Sequence, residues 1–242
     1  AARAHDQALH LEALARIEEA RGWLQARLVL PLQALADAGA FIDRAAKGGQ
    51  LDVEGLRACA ALMRAAARSY AFALAHQARF PRLWGQAQPL SDRDGLADEI
   101  ESAFEPSGAL ADRASPLLSE LRERVRSLHR HLKTQVESLL ADEDMARNLR
   151  DNYFTIRNER YVIPILASAR AEVPGIVHNA SQSGQTLFVE PEPLIGLGNE
   201  LAIGAAMVAE EEQRIMAELS GLVGERAEIL LRDLETLSEL DL

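Results

Sequence analysis

Residues 152–191 form an island of strand and turn signals between two long helical patterns, and this placement limits what the chain can fold into. Residues 153–156 and 161–166 are rich in aromatic and β-branched side chains, which suit a pleated, half-buried surface. Asn158-Glu159, Pro174-Gly175 and Ser183-Gly184 punctuate the island as turns. Upstream, Ser115-Pro116 is a strong helix start, a capping hydroxyl followed by a proline that loses nothing at the first helical position. Leu118, Leu121, Val125, Leu128, Leu132, Val136 and Leu139 then recur three and four apart, a seam about 40 Å long. Downstream of Pro191, a second helical pattern runs toward Leu237 with Leu194, Leu197, Leu201, Val208, Ile215, Leu219, Leu222 and Leu230 on its apolar side. Two helices that enter and leave the same β module are expected to lie antiparallel, as a lever carrying a tip away from the body.

The N-terminal part reads as further helices. An amphipathic pattern spans residues 5–30, and Pro31 starts or kinks a piece that Gly48-Gly49 ends. Asp52 is positioned to cap a helix running to about Gln77. Residues 79–95, with Pro81, Trp84-Gly85 and Pro89, read as a connector, followed by a short acidic helix from Leu96 and a turn at Glu105-Pro106-Ser107-Gly108. The expected fold is mainly α: a helical core over 1–114, a first lever helix over 115–151, a β-rich clamp insertion over 152–191 and a second lever helix over 192–242.

At 242 residues and a net charge of −11, the chain does not bind nucleic acid by bulk charge, although a local basic tip remains open. Lys47 and Lys133 are the only lysines, so nearly all positive charge is arginine, the better fork for phosphate. Neither lysine follows a glycine, so no phosphate-binding Gly-Lys-Ser/Thr loop is present. The single Cys59 excludes an internal disulfide, fits a cytoplasmic setting and reads as a buried small hydrophobe. Charges interrupt every candidate membrane span, and the start contains no signal-peptide core. A chain that begins without Met and ends on a helical pattern reads as a piece of a longer protein.

The motifs T-I-R-N, R-Y-V-I-P, V-P-G-I-V-H and S-x-S-G-Q-T-L-F-V-E-P, followed by an acidic helix, resemble the lever and clamp of the MutS homologues. The likeness is to the type-two branch, which lacks the mismatch-reading domain and is linked with suppressing recombination. It spans roughly residues 40–242 and is strongest over 150–215; Lys47 to Asp52 and Ala114-Ser115-Pro116 also fit. The resemblance implies a homodimeric parent that binds duplex or branched DNA, with ATP and Mg²⁺ held in an ATPase domain beyond this segment. Some members carry a nuclease domain and some act on ribosomes. The segment itself is expected to have no catalytic site and no cofactor.

The candidate DNA contacts are Arg150, Arg157, Asn158, Arg160 and Arg170, because phosphate oxygens take guanidinium donors assisted by amides and hydroxyls. Arg157-Asn158-Glu159-Arg160 straddles the first hairpin turn, which would project both guanidinium groups at the tip. The alternative is a solvated turn whose arginines pair with nearby acids. The polar loop from His178 to Thr186 has the same two readings, backbone contact or a plain turn. Asp142-Glu143-Asp144 and Glu210-Glu211-Glu212 are consecutive and do not converge on a metal, so they read as solvated surface, and His129 and His131 face different ways. A second function class stays open: a coiled-coil scaffold whose β tip contacts protein, ribosomal protein included, and not DNA.

Overall fold

The computed structural model describes residues 38–92 and 95–241, with Leu14, Ile17, Glu18, Glu19, Arg21 and Gly22 before them. In chain order the helices are α1 (Ala38–Ala46), α2 (Val53–Ala75), α3 (Pro81–Ala87), α4 (Gly95–Ser102), α5 (Pro116–Ala141), α6 (Glu143–Ala146), α7 (Glu192–Glu225) and α8 (Ala227–Asp241). The strands β1 (Thr155–Arg157), β2 (Arg160–Leu166), β3 (Gly175–Ala180) and β4 (Thr186–Pro191) lie between α6 and α7. The chain divides into two compact units, one of residues 1–111 with 214–242 and one of residues 112–213. No described helix is long and apolar enough to cross a membrane.

In the helical unit the local signals act as expected. Gly48, at φ 77°, ends α1 in the left-handed conformation that other residues resist, and Asp52 accepts the Gly55 N–H at 2.8 Å to cap α2. Helix α2 buries Leu56, Cys59, Leu62, Met63 and Ala66. Burial pushes the Cys59 thiol up to about 11, so it packs as an unreactive hydrophobe. Asp98 and Glu101 on α4 hold Arg64 of α2, each at 2.6 Å. The connector expected over 79–95 contains α3, started by Pro81 and packed through an edge-to-face contact of Trp84 with Tyr70.

The second long helix does not continue to Leu237. It stops at Glu225, and α8 begins two residues later. The Arg226 N–H bonds Val223 O, a tightened last turn, while Arg226 O starts the next ladder at Leu230. Gly224 lets the backbone press on α1, since a Cβ there would lie 2.5 Å from Ala45 O. Helix α7 therefore starts in one unit and ends in the other, so the expected lever over 192–242 is not a single helix.

In the other unit, Ser115 caps α5 by accepting the Leu118 N–H at 3.3 Å. Its hydroxyl also donates to Glu211 on α7 at 2.6 Å. Glu211 is 4% exposed and Glu212 pairs with Arg122 at 2.7 Å, which corrects the expectation that this acidic run is solvated surface. Ser115, at the start of α5, meets Glu211, whereas Arg124 and Val125 farther along meet Glu200 and Gly204, nearer the start of α7, so the two helices run antiparallel. The four strands form an antiparallel sheet in the order β1-β2-β4-β3. Its inner face, Tyr161, Ile163, Ile165 and Val189, packs on Leu128, Leu132, Val136 and Leu140 of α5 and on Leu194 and Leu201 of α7. The sheet thus lies along half of α5 and is not confined to the helix end, because its alternate residues form an apolar face that needs cover.

Candidate nucleic-acid interface

The β1–β2 hairpin closes on Asn158 and Glu159 at φ 50° and 62°, with Arg157 opposite Arg160. Two left-handed residues in a two-residue loop match the twist of the flanking strands, and Asn tolerates that conformation well. The turn expected from Asn158-Glu159 is therefore present, and the two arginines that flank it meet different fates.

The Arg157 guanidinium crosses β2 and lies 4.6 Å from the centroid of the Phe188 ring on β4. Arg157 is exposed, and no carboxylate among the described residues pairs with it. Cation–π attraction holds a guanidinium over a ring without using up its N–H donors, which remain for an acceptor. Asn158 is exposed beside it. Arg150 is exposed as well, and its backbone N–H bonds the carbonyl of Pro164, the residue opposite Phe188 in the β2–β4 ladder. Arg150 and the ring under Arg157 thus belong to one rung of the sheet.

Arg160 turns inward. Its Nη1 lies 3.3 Å from Glu190 Oε1, and the other oxygen of that carboxylate meets His178 Nε2 at 2.8 Å. Glu190 is 1% exposed, so this ion pair is shielded from solvent. His178 reaches it because β3 carries a bulge between Val177 and Asn179, which re-aims the extra side chain. Gly198 on α7 completes the enclosure: a Cβ there would lie 2.6 Å from Glu190 Oε1 and 2.7 Å from Arg160 Nη1. Arg170 is also committed internally, donating to the carbonyls of Val173 and Gly175 at 2.8 and 2.9 Å and fastening the turn into β3. Arg147 pairs with Asp144.

Of the five expected contacts, Arg150, Arg157 and Asn158 face solvent, whereas Arg160 and Arg170 hold the module together. The cluster around Glu190 escaped the sequence reading, which treated Arg160 as a tip residue. Its signal was a single acid inside the apolar run Leu187-Phe188-Val189-Glu190-Pro191, where a charge needs a partner. The loop after β3 closes on itself: Ser181 N–H bonds Thr186 O at 2.8 Å, Thr186 N–H bonds Ser181 Oγ at 3.1 Å, and Gly184 sits at φ 69°. Among the described residues, no group of three His, Cys, Asp or Glu side chains is placed to hold a metal ion.

No protein-family model matches the chain. Over 95% of its length it is 59% identical to a protein named Endonuclease MutS2 from Anaeromyxobacter sp. (strain Fw109-5), of which it covers 29%. A protein of the same name from Symbiobacterium thermophilum is 36% identical over 94% of the chain, and one from Pelotomaculum thermopropionicum is 35% identical over 96%. The chain is a relative of MutS2 proteins over nearly its whole length, and it spans less than a third of each of these curated relatives.

Proposed function

We propose that the chain is the lever-and-clamp region of a MutS2-type protein and that its β module grips the backbone of duplex or branched DNA. The observation carrying this reading is Arg157, an exposed guanidinium held over the Phe188 ring without a carboxylate partner among the described residues, beside the exposed Asn158. Phosphate recognition uses such a fixed, unpaired fork, and a preorganised side chain loses less freedom on contact. In this reading the chain acts mechanically. ATP and Mg²⁺ bind a separate ATPase domain of a homodimeric parent, and nucleotide state there moves the helices that carry the sheet. Any endonuclease activity, the property printed in the relatives' names, also belongs outside this segment.

Fluorescence anisotropy with duplex and four-way-junction DNA over a salt series tests the proposal. The expected result is binding that weakens with salt along a log–log line, and a shallower line for Arg157→Ala and Arg150→Ala. Salt-independent binding, or slopes in both variants equal to that of the wild type, defeats it. The net charge of −11 favours one rival, a scaffold whose sheet contacts protein, ribosomal protein included. That reading gains if purified ribosomes, and not DNA, bind the chain with the same dependence on Arg157.

A further inference from the structure

Within the helical unit, α2, α4, α8 and the segment joining α3 to α4 line a cavity of about 790 Å³. Its size suits a small organic molecule. Met63, Leu90, Leu96 and Leu230, all buried, give it an apolar wall, and Ile229, 43% exposed, stands at its mouth. Asp233 lies in the same wall at 0% exposure. The Ser91 N–H holds one of its oxygens at 3.1 Å, and the other, shut off from solvent, has no partner. A buried carboxylate calls for a donor on each oxygen, and an ionised one calls for positive charge as well. Two exposed arginines line the cavity, yet neither answers it. Arg226 donates to the carbonyl of Leu222 at 3.3 Å, and Arg232 attracts Asp233 without bonding to it. Asp92 and Glu99, both exposed, add negative charge at the rim.

We propose that this cavity binds a short primary alkylammonium ion, its nitrogen donating to the unpartnered oxygen of Asp233 and its carbon chain lying on the leucines and Met63. Charge selects the class. Three carboxylates and two guanidinium groups line the cavity, and Asp233 is the only buried one of the five, so an anion meets repulsion where it would be deepest. A neutral alcohol fills the space and supplies a hydrogen bond, but it leaves an ionised carboxylate without a counter-charge. An ammonium ion supplies both, and its charge-assisted bond is about twice as strong as a neutral one. Because the oxygen sits behind the wall, the ligand moves a side chain aside to reach it, and unbranched, flexible Met63 yields at least cost.

Titration of the 242-residue chain with n-butylammonium chloride, followed by NMR at the Met63 methyl group, tests this at constant ionic strength. Mildly alkaline pH keeps the carboxyl ionised and the amine charged, as a lysine would be. The wild type is expected to saturate. Asp233→Asn, which keeps the shape and removes the charge, should bind roughly tenfold more weakly or worse. Ile229→Trp leaves the carboxylate in place, crowds the mouth and should weaken binding in the same way. Sodium butyrate and n-butanol should bind the wild type roughly tenfold more weakly than the ammonium ion, and circular dichroism confirms that both variants are folded. A wild type that shows no saturable shift overturns the proposal. Equal affinity for wild type and Asp233→Asn also overturns it, since that is general attraction of cations to a chain of net charge −11. Unchanged binding by Ile229→Trp overturns the placement in this cavity, and n-butanol binding as tightly as the ammonium ion overturns the selection by charge.

Discussion

Glu190 in the sheet-bearing unit and Asp233 in the helical unit are 1% and 0% exposed, yet their surroundings treat the buried carboxylate in opposite ways. Glu190 has a partner on each oxygen, Arg160 and His178, drawn from two other strands, and Gly198 on α7 leaves room for the pair. Asp233 accepts the Ser91 N–H at 3.1 Å on one oxygen, and its second oxygen has no partner. Burial pushes the Asp233 carboxyl above its ordinary range, with the Ser91 bonds and Arg232 opposing that shift. A buried charge is an organising element only when neighbours answer each of its polar atoms. The Glu190 site ties three strands and a helix together, whereas the Asp233 site costs its unit stability at neutral pH.

The comparison breaks first if Arg160 is expendable. Arg160→Ala leaves Glu190 buried with only His178, and is expected to lower unfolding stability by about 3 kcal/mol in urea titration. Gly198→Ala drives a methyl into the same pair and should cost about 2 kcal/mol. A neutral result for both would mean that the cluster merely fills space. Asp233 is predicted to respond in the other direction, with Asp233→Asn stabilising the chain by about 1 kcal/mol at neutral pH. The sign follows from linkage: the folded state holds the Asp233 proton more tightly than the unfolded state. Its stabilising contribution is therefore full below the ordinary carboxylate pKa, near pH 4, and is lost as pH rises through the elevated folded value. The urea midpoint of wild type minus that of Asp233→Asn should fall from acid to neutral pH, and a flat difference removes the argument. Arg157→Ala should change stability least, by about 0.5 kcal/mol, because an exposed cation–π contact is weak. That variant then reports on DNA contact without disturbing the fold.

Much of the local structure was legible from short-range chemistry. The cap at Asp52, the stop at Gly48, the start at Ser115-Pro116 and the turn at Asn158-Glu159 are each decided by residues within a few positions of one another. The exposure of Arg157 and Asn158 was legible for the same reason: they flank or form a tight turn, and this turn is exposed. The fate of Arg160 was not. Nothing within its hairpin distinguishes it from Arg157. Its partner lies 30 residues away, and His178 reaches that partner only through a bulge in another strand. The α7–α8 break was hidden in the same manner, because apolar spacing persists through Arg226 while the close approach of Gly224 to Ala45 is a long-range contact.

The sequence by itself determined the helical character, the β island between α6 and α7 and the hairpin turn, because composition, spacing and caps act within a few residues. Only the tertiary structure decided which arginines remain available and which acids are buried. It also decided where the long helix ends. Those outcomes depend on which distant side chain supplies a buried charge with its partner, and spacing along the chain carries no record of that distance.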